Sequence, residues 1–340
     1  MPMSRIAAIA CGLMVGAAPA LGQPSFYEGK TIALVVGTAA GGGYDIYGRS
    51  LARHIGRHIP GNPTIIVQNM PGAGSGKAAE FMYTHAPKDG ATIGLIFPGI
   101  VMEPLLQPGK FRFDPTKFEY LGSADSGVRL CVTHRTSKIK SMEDVLKMPS
   151  TFGGSSVGSS TTDYAQLLIN LAGAKIKIVN GYKSSNDTVF AMERAEVDGI
   201  CGYDSSSFKA QKPDWYDTAE AHMILQASLE PSDELTKLGV PSIWKYITGD
   251  SRKIAEVVIA QQEFHRPFLL PPGVPTDRIA TLRRAFDATM RDPEFLADAA
   301  RMKLSITPKD AATVTKLIMD LYAAPKDLIA QVNKALKPAE

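Results

Sequence analysis

Thr31-Ile32-Ala33-Leu34-Val35-Val36, followed by Gly41-Gly42-Gly43 and then Tyr44-Asp45, is the stretch of this 340-residue chain on which the fold turns. The first six residues are apolar and rich in β-branched side chains, and they predict a strand. A helix is expected from about Asp45 to Ile59. Three glycines at such a junction let backbone N–H groups at a helix N-terminus approach an anion with no side chain in the way. The pattern points to a place that holds negative charge rather than one that reacts with it.

Downstream, Thr64 to Asn69 predicts a second strand. Pro71-Gly72-Ala73-Gly74-Ser75-Gly76 predicts a loop, Lys77 to Ala86 a helix, and Thr92 to Phe97 a third strand after the turn Pro87-Lys88-Asp89-Gly90. This βαβαβ order implies a parallel sheet with helices on both faces. A second, independent α/β pattern follows. Strands are expected near 129–132, 151–153, 175–179, 197–202 and 223–226, and helices at 141–146, 163–172 and 186–194. Ser141 is placed as the N-cap of the first of these helices, with Asp144 three residues on. Residues 208–220 predict an irregular polar stretch. The last third is helical, with Ile279, Leu282, Phe286 and Met290 on one face and a break at Pro325. The length fits two lobes better than one core.

Composition is that of a globular chain, 44% hydrophobic and 21% charged, with a formal net charge of +3. That charge is too small to argue for nucleic acid or a membrane surface, and no basic run with interleaved aromatics appears. The N-terminus carries Arg5, an uncharged apolar run from Ile6 to Ala18, and the small-residue triplets Ala18-Pro19-Ala20 and Ala20-Leu21-Gly22. The run is too short to span a bilayer and predicts a signal peptide over 1–22, cleaved near Gly22, and a periplasmic product. A lipoprotein reading at Cys11 is disfavoured because the preceding apolar stretch is too short. Cys131 and Cys201 then remain, and an even pair in an exported chain permits a disulfide; two small buried strand residues is the alternative.

Several enzyme-like strings fail on inspection. Gly72-Ala73-Gly74-Ser75-Gly76-Lys77 lacks the first glycine of a P-loop, where Pro71 stands, and has Ala78 after the lysine. A dinucleotide fingerprint at Gly41 fails at Ile46. Gly154-Ser155-Ser156-Val157-Gly158 matches a nucleophile elbow, but Ser159-Ser160-Thr161-Thr162 delays the following helix, which in a true elbow starts at the serine. An exported hydrolase using Ser156 is therefore the second choice. His54 and His58 have a metal-compatible spacing but lie among Arg49, Arg53 and Arg57, and a solvated basic face is expected. No catalytic residue, metal or cofactor is assigned.

What remains is a set of polar, glycine-rich loops, each following a strand: 38–45, 69–76, 154–162 and 203–206. Ligands of open α/β sheets bind at such strand ends. On these residues the chain resembles the extracytoplasmic solute-binding proteins of tripartite tricarboxylate transporters, the Bug family. The marks are Tyr27-x-x-Lys30-x-Ile32, Gly41-Gly42-Gly43-Tyr44-Asp45, Asn69-x-Pro71-Gly72-Ala73-Gly74, Asp89-Gly90, Gly181-Tyr182-Lys183, Val197-Asp198, Asp204 and Pro272-Gly273-Val274-Pro275. The likeness extends over roughly 27–335.

The resemblance implies a type II periplasmic-binding-protein-like fold of class α/β, with two lobes, each a mainly parallel sheet flanked by helices, joined by two crossing strands and closing like a hinge on a carboxylated solute. Lobe 1 is expected over 23–126 plus 232–340, and lobe 2 over 127–231. Implied ligand contacts are Thr38, Ala39, Gly41, Gly42, Gly43 and Asp45 of the first loop, and Gly72 and Ala73 of the second. Ser156, Ser159, Ser160 and Thr161 follow from the serine-rich loop, with Tyr182 and Asp204. A monomer is expected, with a mono-, di- or tricarboxylate as ligand and the small and large membrane subunits of a transporter, or else a sensor, as partner. The chain departs from the family at Ala39-Ala40, where a proline is usual, and at His265-Arg266-Pro267-Phe268-Leu269, where many members read W-F-G-L-L. Arg266 is either a partner for a ligand carboxylate or a surface arginine at the lobe boundary.

Overall fold

The computed structural model describes residues 25–218 and 220–338, so the expected signal peptide and Cys11 lie outside the described residues. Eleven strands are described: β1 Thr31–Val36, β2 Thr64–Asn69, β3 Thr92–Leu95, β4 Glu119–Ser123, β5 Arg129–His134, β6 Ser150–Gly153, β7 Ile176–Val179, β8 Gly199–Asp204, β9 Ala221–Ala227, β10 Pro267–Leu270 and β11 Lys309–Asp310. They form two sheets, one in the order β11-β4-β10-β3-β1-β2 and the other β7-β6-β8-β5-β9.

Both sheets are mixed rather than mainly parallel. β1 pairs in parallel with β2 and β3, while β10 is antiparallel to β3 and β4. In the second sheet β6 is parallel to β7 and β8, and β5 is antiparallel to β8 and β9. The reason is topological. The chain leaves the first lobe along β4 and returns along β10, and neighbours that leave and return run in opposite senses.

Period-two alternation puts Ile32, Leu34 and Val36 on one face of the first sheet and Val35 on the other, each face covered by its own apolar cluster. The second sheet is likewise buried on both faces, with Cys131, Cys201 and Leu225 on one and Leu130, Val132 and Ile200 on the other. Cys131 and Cys201 are disulfide-bonded across β5 and β8.

The two lobes are linked by 124–128 and 260–266, which hydrogen-bond to one another: Ala124 N–H to Arg266 O (3.1 Å), His265 N–H to Asp125 O (3.1 Å) and Gly127 N–H to Gln262 O (3.3 Å). The return crossing thus falls near 260–266 and not at 231. Residues 232–259, expected in lobe 1, put Leu235, Val240, Ile243, Ala255 and Ile259 into the cores of the second sheet. The chain crosses once more after Tyr322, and helix Lys326–Leu336 packs Val332, Ala335 and Leu336 into that lobe too. Helical segments Ser205–Gln211 and Pro213–Asp217 occupy much of the stretch expected to be irregular.

The helix after the triple glycine spans Gly43–His54, ending earlier than expected in a 3-10 turn, Ile55–His58. Its basic stripe is solvent-exposed at Arg49, Arg53 and Arg57, as expected, and it also docks on a neighbouring helix. Arg53 and His54 reach Asp298, while His58 and Arg57 reach Asp292, all on or capping helix Pro293–Arg301.

Candidate functional site

Every segment at the cleft enters from the same ends of the two sheets. The C-terminal ends of β1, β6, β7 and β8 lead into helices Gly43–His54, Ser160–Ala172, Ser185–Glu193 and Ser205–Gln211. Antiparallel β5 and β10 present their N-terminal ends there, at Arg129 and just after Arg266. Between the lobes lies a small cavity of about 40 Å³. It is lined by Thr38, Gly42, Gly43 and Tyr44 of the first loop and helix, and by Phe97 just beyond β3. The other lobe contributes Ser155, Ser160 and Thr161, Ser184 and Ser185, and Gly202, Tyr203, Asp204 and Ser207. Arg129 and Arg266 complete it.

Three helices of nine to thirteen residues therefore open on one cavity. Gly42 and Ser159, the N-caps of the first two, make no side-chain capping bond to their own helices. Their first-turn N–H groups carry the partial positive charge of a helix N-terminus, the ordinary chemistry of anion sites. Asp204, by contrast, caps its own short helix through Ser207 N–H (2.7 Å).

The glycine run has a second purpose. A Cβ on Gly42 would stand 3.0 Å from the Cβ of Ser184, and one on Gly43 only 2.8 Å from that of Ser207. Both serines belong to the opposite lobe, so these glycines set how closely the halves approach. Ala39 N–H donates to Lys183 O across the same gap (3.4 Å).

The charged groups at the back of the cleft are deeply buried. Arg266 is 1% exposed. It donates from Nη2 to Asp204 Oδ1 (2.9 Å) and Ser207 Oγ (2.7 Å), and its guanidinium lies over the rings of Tyr44 and Tyr47 at 4.1 and 4.5 Å. His265 is fully buried, with Nδ1 3.3 Å from Asp204 Oδ2 and 3.5 Å from Asp125 Oδ2. Burial, with Arg129 and Arg266 close by, pushes the imidazole down to about 4 against the opposing pull of Asp204 and Asp125. Burial alone would raise the Asp204 carboxyl. The charges of His265, Arg266 and Arg129 reverse this and hold it below the usual carboxylate range.

Of the residues expected to contact a ligand, Thr38, Gly42, Gly43, Ser160, Thr161, Asp204 and Arg266 line the cavity. Ala39, Gly41, Asp45, Gly72, Ala73, Ser156, Ser159 and Tyr182 do not. Asp45 instead shapes the first loop: it accepts from Gly41 N–H, Arg49 Nε and Asn69 Nδ2, each at 2.9 Å. Burial would raise its carboxyl, but these bonds hold it down. Gly72 and Ala73 have positive φ and form the turn before Ser75. Ser75 Oγ in turn donates to Gly37 O and accepts from Phe97 N–H, bracing two first-lobe loops. Ser159 Oγ donates to Ser156 O within its own loop. Ser156 Oγ is buried with no hydrogen-bond partner among the described residues, and the helix after it begins only at Ser160. Tyr182 packs over Gly153. Arg266 is not the surface arginine of the second expectation: it is buried, lines the cavity and pairs with Asp204.

Tyr44, Ser155 and Tyr203 lie in loops the sequence singled out but were not named as contacts, and Phe97, Arg129, Ser184, Ser185, Gly202 and Ser207 were missed altogether. Arg129 carried the one usable signal, a charged residue directly abutting the apolar run Leu130-Cys131-Val132. It is 3% exposed, its Nε is unpartnered, and its guanidinium has no acceptor among the described residues.

No family model matches the chain. Over 162 residues it is 33% identical to the UPF0065 protein in gbd 5'region of Cupriavidus necator, a match spanning 46% of this chain and about half, 48%, of that one. Among solved structures it is similar to the periplasmic binding protein BugD (TM-score 0.73, 18% identity, 91% of this chain and 98% of that one). It is also similar to MatC from Rhodopseudomonas palustris with bound malate (TM-score 0.69, 17% identity, 88% and 99%). A second R. palustris protein, with adipate, gives a TM-score of 0.70 at 17% identity over 90% and 97%. These likenesses place the chain in the two-lobe fold of periplasmic binding proteins.

Proposed function

We propose that the chain is a periplasmic solute-binding protein of the tripartite tricarboxylate transporter class, which closes two lobes on a small organic carboxylate and delivers it to the small and large subunits of a membrane permease. The observation that carries this reading is the convergence of three helix N-termini, from both lobes, on one cavity. Oriented N–H groups and hydroxyls stabilise an acid group without transferring a proton or making a bond. BugD and the malate- and adipate-bound relatives share the architecture, which supports the reading. No helix of the described residues is long and apolar enough to cross a membrane. Ser156, with no base to orient it, favours binding over hydrolysis.

The test is a thermal-shift and calorimetric screen of organic acids on refolded, ligand-stripped protein. Saturable stabilisation by at least one acid is expected. Gly42→Val should abolish it without unfolding the protein, because the new side chain meets Ser184 and blocks closure. Full binding by that variant, or hydrolysis of an ester that disappears in Ser156→Ala, would overturn the proposal.

A further inference from the structure

We propose that Arg129 determines ligand specificity and restricts the cleft to acids that bring a single negative charge, monocarboxylates in preference to their dicarboxylate counterparts. This deepens the carboxylate reading above and rests on it.

Arg129 opens β5, lines the cavity and is 3% exposed, yet no described residue accepts a hydrogen bond from its guanidinium. A guanidinium cannot shed its charge by losing a proton, so when buried it requires an anion. Its cross-strand neighbour is Asp204, which lies close enough to feel its charge but makes no hydrogen bond to it; Oδ1 is taken by other donors, and Oδ2 accepts no hydrogen bond from any described residue. Asp204 Oδ1 accepts from Arg266 Nη2, Ser206 Oγ and from both the N–H and Oγ of Ser207, and Oδ2 faces His265. Asp125, the other buried acid nearby, accepts from Tyr47 and Thr307 and does not line the cavity.

The charged lining is thus two guanidinium groups and one carboxylate, which leaves one positive charge unmatched. One ligand carboxylate satisfies it in the bidentate geometry that arginine favours. A second carboxylate would find no second cation unless it displaced Asp204 from Arg266, and would otherwise lie in the same small cavity as the Asp204 carboxylate. The helix N-termini offer hydrogen bonds but only about half a charge each. The rest of the lining is neutral: hydroxyls for a hydroxylated body, and Tyr44, Phe97 and Tyr203 for an apolar one.

The experiment is calorimetric titration of the refolded, ligand-stripped mature chain with matched pairs: butanoate and succinate, 3-hydroxybutanoate and malate, hexanoate and adipate. Wild type should bind the monoacid of at least one pair about 10-fold or more tighter than its diacid, and Arg129→Gln should lose about 100-fold of that affinity. Arg129→Lys, which keeps the charge but not the fork, should fall between. Diacids bound as tightly as their monoacids, or an Arg129→Gln variant that keeps its affinity, would overturn the inference while leaving the carboxylate reading intact. Should Arg129→Gln fail to fold, as judged by near-ultraviolet circular dichroism, the paired titrations on wild type decide alone. Wild type that binds neither member of any pair would overturn this inference, and the carboxylate reading falls with it if the wider acid screen also finds no ligand.

Discussion

Behind the cleft, Asp204 of the second lobe meets Arg266 and His265 at the return crossing, with Arg129 close by. Elsewhere between the halves, Glu103 in the 99–106 segment approaches Asp163 near the start of helix Ser160–Ala172, with Gly158 between them. Both sets are buried, and both join parts of the chain far apart in sequence. In the first, opposite charges meet. In the second, two acids do, and among the described residues the one hydrogen bond to the Asp163 carboxylate comes from Gly158 N–H at 3.1 Å. Burial acts on Asp204 and Asp163 in the same direction, so the neighbours decide the outcome. Asp204 is held ionised, whereas burial and the charge of Glu103 together push the Asp163 carboxyl well above its ordinary range. One region clamps the lobes together at any ordinary pH; the other is comfortable only when a proton is present.

Breaking the clamp should have the largest effect. Arg266→Met leaves Asp204 buried without its closest cation, a change that costs about 3–5 kcal/mol. The urea midpoint at pH 7 should fall accordingly, and the double variant Arg266→Met/Asp204→Leu should recover part of the loss. A single variant as stable as wild type would mean the pair contributes specificity of closure and no stability.

The clamp can also be loosened without touching a charge. The Cys131–Cys201 bond ties β5 to β8, two residues from Arg129 and three from Asp204. With 70 residues separating the two cysteines, the chain-entropy model gives a stabilisation of about 4 kcal/mol. Cys131→Ala/Cys201→Ala should lower the unfolding free energy, read from urea denaturation, by at most this amount, and should weaken carboxylate binding by letting Arg129 and Asp204 move. Unchanged affinity in a destabilised variant would separate the bridge's role in folding from its role in the site.

The first region was partly written in the sequence, and the second was not. The strand-glycine-helix pattern at 31–54 is legible because strand, turn and helix each obey a local rule, and the same holds for the capping box at Ser141 and Asp144. The resemblance implied Asp45 as a ligand contact along with the rest of its loop, but Arg49 one turn later and Asn69 on the neighbouring strand claim it. Residues 232–259 contain no strand, so nothing in their periodicity says which sheet their short helices cover. The meeting of Arg129, Asp204 and Arg266, like that of Glu103 and Asp163, depends on the closing of two separate lobes, which no window of sequence contains.

The acid pair offers the smallest effect and the sharpest sign. Because the Asp163 and Glu103 carboxyls are both raised in the folded protein, the native state holds protons that the unfolded chain has released. Their contribution is therefore unfavourable above the unfolded carboxylate range and grows as pH rises through the raised values. Asp163→Asn removes that penalty, and its amide oxygen can still accept from Gly158. It should raise stability by about 1 kcal/mol or more at pH 8, the scale of relieving a buried unmatched polar group, and by nothing near pH 4, below the raised range of both carboxyls. Glu103→Gln should show the same pH dependence with smaller amplitude, since it relieves the repulsion but leaves Asp163 desolvated. The acids whose carboxyls are lowered, Glu143 and Asp298 among them, lose their stabilisation only below the ordinary carboxylate range, so their effects fall in a separate pH window. Urea midpoints from pH 4 to 8 resolve the two. A gain for Asp163→Asn that is the same at both ends would show that the carboxyl is held ionised after all, and that the two regions differ in packing rather than in charge.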